Sequence, residues 1–161
     1  MKTLIVYYSQ GENTAFAARA VADRLGADLL RLEPEKAYPD SGFKRFFWGG
    51  KAAVMAERPA LRPYTFDADA CERVILGFPV WVGTFAPPLR SFVLAHREAL
   101  RGKRVAAIAC QSGAGAEKAF AKLKALLGVD AFEAELILID PRDKPSAEND
   151  QRLAAFCAKL G

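Results

Sequence analysis

The feature that most limits how this chain can fold is a regular alternation of short apolar runs with amphipathic stretches along its 161 residues. Residues 3–8 read as a buried strand, and 13–25 as a helix with Phe16, Ala20, Val21 and Leu25 at helical spacing. Gly26 is a plausible stop for that helix, and Leu29, Leu30 and Leu32 suggest a second strand near 28–33. A third strand is expected at 73–79, followed by a helix over 86–99 that Pro87 and Pro88 open, since proline suits a first helical turn. Val105 to Cys110 reads as a fourth strand, 115–127 as a helix closed by Gly128, Phe132 to Ile139 as a fifth strand, and 146–160 as a last helix. The strand runs are mostly continuous apolar stretches, as expected when both faces of a sheet are covered. Strand and helix alternating five times predict an α/β fold: one domain over 1–161, with a five-stranded parallel sheet between two layers of helices.

The stretch 34–72 is too long for an ordinary crossover loop and reads as an extended insertion within the domain. Its middle, 43–55, is aromatic and basic and is predicted to include a short helix. The formal net charge of +4 is local, because between Lys36 and Pro63 six basic residues face two acidic ones. Six cations scattered among aromatics make neither a recognisable RNA motif nor a dense polybasic run, so nucleic acid is not the expected partner. No apolar run approaches the ~20 residues needed to span a bilayer. The N-terminus passes from one lysine directly into Thr3–Tyr8, a first strand rather than a signal peptide. Cys71, Cys110 and Cys157 are odd in number and lack CxxC or metal spacing, which fits thiols in a reducing cytoplasm. No metal site is expected; Asp67, Asp69 and Glu72 lack defensible ligand geometry. His96 reads as a helix-surface residue without a catalytic role, and Cys110 borders a loop with nothing to mark it as an activated thiolate.

In an open α/β sheet, ligands bind beyond the carboxyl ends of the strands, where the strand order reverses. Three unusual loops fall at such ends. Ser9-Gln10-Gly11-Glu12-Asn13-Thr14 offers hydroxyls, amides and the free N–H groups of a helix start, a neutral cradle for a phosphate. It lacks the GK[ST] ending of a Walker A loop and is not GxGxxG. Ser9-x-x-Glu12 is equally a capping box. A Glu12 carboxylate would repel a phosphate unless it turned outward, and the Ser9 cap is one place for it to go. The second loop, Phe78-Pro79-Val80-Trp81-Val82-Gly83-Thr84, joins a flat π-face to residues that restrict the backbone or let it approach closely. Trp81 could equally cover the end of the core. The third, Cys110-Gln111-Ser112-Gly113-Ala114-Gly115, has small residues whose N–H groups can reach a heterocycle edge, or it is an ordinary turn before a helix. Together the three describe a ligand with one phosphate and a planar ring, of mononucleotide size.

With these loops in place the sequence resembles the flavodoxin family over nearly its whole length. Tyr7-Tyr8-Ser9-x-x-x-Asn13-Thr14 is similar to the family's phosphate loop, Gly77 to Gly83 to its first flavin-edge loop, and Ser112-Gly113-x-Gly115 to its second. The resemblance implies a flavodoxin-like sheet of order 2-1-3-4-5 and FMN as cofactor, with no catalytic residue of the protein's own. It implies that Ser9, Gln10, Gly11, Asn13 and Thr14 bind the phosphate. Pro79, Val80, Trp81 and Gly83 would line one side of the isoalloxazine, with Ser112, Gly113 and Gly115 on the other. A peptide within 80–83 would respond to protonation of flavin N5. The third loop has no aromatic, so Phe46, Phe47 or Trp48 could cover the open ring face while Lys44, Arg45 and Lys51 meet an acidic partner or substrate. Those rings could equally pack the insertion onto the sheet edge. The leading expectation is an electron-transfer flavoprotein serving redox partner proteins or a small-molecule acceptor. The alternatives are an FMN-dependent NAD(P)H:quinone-type reductase, and a flavodoxin-like interaction module that no longer binds flavin.

Overall fold

The computed structural model describes residues 1–38 and 57–161. The expectations placed on 43–55, including the reach of Phe46, Phe47 and Trp48, lie outside the described residues. The elements are β1 (Thr3–Tyr7), α1 (Asn13–Leu25), β2 (Asp28–Arg31), a 3₁₀ turn (Ala68–Ala70), β3 (Arg73–Trp81), β4 (Thr84–Phe85), α2 (Pro87–Ala95), α3 (Arg97–Arg101), β5 (Arg104–Gln111), α4 (Ala116–Leu127), β6 (Glu135–Ile139) and α5 (Ala147–Leu160). The sheet runs β2-β1-β3-β5-β6, with these neighbours parallel. Counting the parallel strands alone, this is the expected order 2-1-3-4-5. The two-residue β4 is an addition, antiparallel to the far end of β3 through Val80↔Phe85 and Trp81↔Thr84.

Side chains leave a strand alternately on its two faces, and here each face has its own core. Val6, Val74, Leu76, Phe78, Ala107 and Ala109 pack beneath α2, α3 and α4, where Leu89, Phe92, Phe120 and Leu123 are buried. Ile5, Ile75, Ala106, Ile108, Leu136 and Leu138 pack beneath α1 and α5, against Val21, Leu153 and Phe156. This double burial explains why the strands read as unbroken apolar runs rather than alternating ones.

Local chemistry sets the helix ends. Gly26 terminates α1 in the left-handed region at φ 65°, and its N–H bonds back to the Ala22 carbonyl. Ser146 caps α5 by accepting from the Asn149 N–H. Phe16 departs from the reading of α1. It is 41% exposed, and the buried stripe is Thr14, Ala15, Ala17, Ala18, Val21 and Ala22. A face of small residues lets the helix lie close on the sheet, and the large ring is left outside.

The helix expected over 86–99 is broken in two. His96 leaves helical dihedrals (φ −123°, ψ 20°) where its Nε2 meets the Tyr64 hydroxyl at 2.7 Å. Its ring packs against Phe66 and Phe92, each with centroids 4.7 Å away, so it is a half-buried packing residue rather than a surface one. The fifth parallel strand starts at Glu135, later than the expected Phe132. Glu133 is instead turned to Arg73, accepting from its Nε and Nη2 at 2.8 Å each. No helix among the described residues is long and apolar enough to cross a membrane.

Candidate functional site

Three parallel strands in adjacent positions, β1, β3 and β5, end at the same edge of the sheet, and the three loops singled out above leave from those ends. The order reverses between β1 and β3, which opens a crevice between the loops that follow them.

The first loop is built on Ser9, whose Oγ accepts from the Ala15 N–H at 3.1 Å and donates to the Gly11 carbonyl at 3.0 Å. Gly11 takes φ 81°, where a side chain would be strained. Ser9 therefore caps α1 across the loop, but the reciprocal half of the capping box does not form. Glu12 makes no side-chain cap, and its carboxylate lies between Arg31 (3.6 Å) and Arg19 (3.7 Å). The carboxylate is paired with two arginines instead of the serine cap.

Asn13 and Thr14 begin α1, and among the described residues their backbone N–H groups have no acceptor, so two oriented donors remain at the positive end of the helix. Their side chains are committed elsewhere. Asn13 Oδ1 accepts from the Arg142 and Asp143 N–H groups at 2.9 and 3.2 Å, and its Nδ2 donates to Asp143 Oδ2 at 3.1 Å. Thr14 is buried, near the Cys110 thiol. Burial pushes the Cys110 thiol up to about 12, against which the Thr14 side chain acts and with which Asp140's charge concurs. That thiol stays protonated at neutral pH and is not a nucleophile. Gln10 is half-buried in the same loop.

The second loop is a hairpin. Trp81 and Thr84 pair across a two-residue turn in which Val82 (φ 50°) and Gly83 (φ 67°) are both left-handed, with Pro79 and Val80 half-buried in the strand below. The indole is not alone: Tyr8 and Tyr38 meet it edge to face, with centroids 5.9 and 5.3 Å away, and each other at 6.3 Å. The aromatic wall is thus a three-ring cluster that fixes Trp81's orientation. Burial, helped by the negative charge of Glu57, raises the Tyr38 hydroxyl to about 12.

The third loop touches the second. Gly115 takes φ 107°, and a Cβ there would stand 3.0 Å from the Gly83 Cα and 3.2 Å from Val80 Cγ1. Glycine at 115 is needed for this approach, whereas a Cβ at Gly83 would meet the Lys118 side chain at 3.1 Å. Gln111 Oε1 caps α4 through the Ala116 N–H, while Ser112 and Gly113 are exposed.

Sequence reasoning missed a fourth loop, residues 140–146 after β6. Asp140 accepts from the Ser112 hydroxyl at 3.0 Å, and the Arg142–Asp143 turn holds Asn13, so this loop ties the first and third loops together. Its signal was present, since Asp-Pro-Arg-Asp-Lys-Pro is a turn-rich stretch at a strand's carboxyl end. Beside the first loop a cavity of about 440 Å³ opens toward β2, lined by Tyr8, Ser9, Arg31, Tyr38 and Arg62 among others. Among the described residues no group of His, Cys, Asp and Glu could hold a metal ion.

Solved structures share this architecture at low identity. A Bacteroides eggerthii protein provisionally described as a flavoprotein is 21% identical, with a TM-score of 0.80 over 99% of this chain and 95% of its own. A Lactobacillus acidophilus flavoprotein, solved in complex with FMN, is 17% identical, with a TM-score of 0.73 over 94% of this chain and 97% of its own. The flavodoxin of Streptococcus pneumoniae is 18% identical, with a TM-score of 0.55 over 99% and 97%. No curated protein sequence matches this chain. The family model described as Flavodoxin matches residues 2–140, a span that includes β1 to β6 and all three expected loops: the chain belongs to the flavodoxin family.

Proposed function

We propose that this protein binds FMN at the carboxyl ends of β1, β3 and β5 and carries electrons between redox partners. The observation that carries the reading is the meeting of the three loops at the β1/β3 reversal, with the second and third in backbone contact at Gly83 and Gly115. The donor set suits a monophosphate. The N–H groups of Asn13 and Thr14 and the positive end of α1 would hold it, with Ser9, Gln10 and Gly11 shaping the loop around it. Asn13 and Thr14 would then act through the backbone, because the Asn13 amide serves residues 142 and 143 and the Thr14 side chain is buried. Pro79, Val80 and Trp81 would line one side of the isoalloxazine and Ser112 and Gly113 the other, while Gly83 and Gly115, whose backbones touch, would meet at its edge rather than across its faces. The Lactobacillus acidophilus neighbour solved with FMN supports this choice of cofactor.

Bound FMN would supply the redox chemistry. The chain's own part is to orient the ring, exclude water from one face through the Tyr8–Tyr38–Trp81 cluster, and present backbone groups of the 80–83 loop to the ring edge. Glu12, the residue that would favour a module without flavin, is paired with Arg31 and Arg19, which supports the flavin-binding reading.

A second reading is an FMN-dependent NAD(P)H:quinone-type reductase: the cavity beside the first loop gives a co-substrate room and presents Arg62 to it, while Arg31 is engaged by Glu12 and Glu33 in the same lining. One experiment separates the two. FMN-loaded protein is mixed with NADPH or NADH and a quinone, with and without an added flavodoxin reductase. An electron carrier turns over only when the reductase is present; rapid turnover without it would overturn the carrier reading in favour of the enzyme.

A further inference from the structure

Glu12 is the residue in the first loop that most opposes an anionic ligand, and the structure surrounds it with a specific remedy. Arg31 ends β2, directly beside Tyr7 in the parallel register with β1. From there its guanidinium reaches under the loop. Arg31 Nη2 donates to the Ser9 carbonyl at 3.0 Å, and the same nitrogen stands 3.6 Å from Glu12 Oε1. The group also lies 5.9 Å from the Tyr7 ring centroid, while its Nε is 3.8 Å from Glu33. Its side chain is 33% exposed against 52% for Arg19, the other partner of Glu12, so it is the better shielded cation of the two.

These contacts have two consequences for a phosphate. Drawing the Ser9 carbonyl onto Arg31 fixes the orientation of the 9–10 peptide. Because a trans peptide sets C=O and N–H in opposite directions, the carbonyl points to the cation and the Gln10 N–H to the other side. The second consequence is electrostatic: the guanidinium cancels a carboxylate that would otherwise stand at the mouth of the cradle.

We propose that Arg31 is a positioning residue for phosphate binding, offsetting Glu12 and holding the Ser9 carbonyl away from the ligand. The inference rests on the FMN reading above. It assigns a role to a side chain on an edge strand, outside the loop it serves.

The test is a double-mutant cycle read as FMN dissociation constants for the wild type, Arg31→Gln, Glu12→Gln and the pair. Arg31→Gln is expected to weaken FMN binding about tenfold, and adding Glu12→Gln to recover most of that loss. Glu12→Gln alone is expected to change affinity by less than about threefold, since its charge is already cancelled. Arg31→Lys keeps the charge and is expected to stay within about threefold of wild type, a readout that remains if Arg31→Gln does not fold. A double variant no better than Arg31→Gln would overturn the proposal, because a merely structural arginine is not rescued by removing a carboxylate. So would unchanged affinity in Arg31→Gln, or a tenfold gain from Glu12→Gln alone. A wild-type protein that fails to bind FMN would overturn the FMN reading itself, a different result from a failed cycle.

Discussion

Replacing Val82 with asparagine is expected to stabilise this protein, although the change makes the hairpin tip more polar. Val82 and Gly83 occupy the two central positions of the turn between Trp81 and Thr84, both at positive φ. This is the pattern of a type I′ turn, whose preferred residues are Asn-Gly, because the first central position must be left-handed and tolerates few side chains. A left-handed conformation costs an L-residue roughly 1–2 kcal/mol, and a β-branched one is among the worst suited to it. Little offsets that cost here, since Val82 is 56% exposed and its isopropyl group has little burial to lose. Asparagine relieves the strain while keeping a side chain that restricts the unfolded chain, for a net gain of about 1 kcal/mol. In a protein of this size that is a rise of about 2–4 °C in melting temperature. Glycine relieves the same strain but adds about 0.5–1 kcal/mol of unfolded-state entropy, so Val82→Gly should fall between wild type and Val82→Asn. Thermal unfolding of the three apo proteins reads this order. A Val82→Asn protein no more stable than wild type would refute the strain argument, and so would a glycine variant that exceeds the asparagine one.

Two further perturbations test other parts of the structure. Gly115→Ala would place a methyl 3.0 Å from the Gly83 Cα at φ 107°, so it is expected to cost about 1–3 kcal/mol in chemical denaturation and to weaken FMN binding; an FMN affinity equal to wild type would show that the contact between the two loops is dispensable. His96 is held below its ordinary value of 6.5 by burial, so the unfolded chain takes up its proton first. Its contribution to stability is full above pH 6.5 and declines as the pH falls below it, and His96→Gln should flatten that part of a stability–pH profile. An unchanged slope between the two proteins would place the acid sensitivity elsewhere.

The sheet was legible because its physics is local. Runs such as Val74-Ile75-Leu76 and Val105 to Cys110 are buried on both faces, and the glycines at 26 and 128 sit where left-handed caps end helices. The same locality explains the failures. Phe16 has the spacing of a buried residue, yet its alanine neighbours set how closely α1 approaches the sheet and leave the ring outside. In the site, the loops themselves were visible as departures from strand and helix chemistry. Their partners were not. Arg31 reaches Ser9 from a different strand, Tyr38 reaches Trp81 from the long crossover, and Asn13 is held by residues 142 and 143. Contacts of this kind depend on strand order and register, and no periodicity along the chain carries them. Glu12 illustrates the difference: in sequence it reads as one half of a capping box, and only the register Tyr7↔Arg31 reveals the cation that claims it.

The central claim, that the loops after β1, β3 and β5 form one FMN site walled by Trp81, is tested most directly by titrating FMN with the apo protein and with Trp81→Ala, following flavin fluorescence. Saturable binding with quenching is expected for the wild type, because an indole along the ring quenches the flavin, with weaker binding and brighter bound flavin in Trp81→Ala. No saturable binding by the wild type would contradict the site as a whole. Equal affinity and equal quenching in the two proteins would contradict the wall, leaving Trp81, with Tyr8 and Tyr38, as a lid on the core.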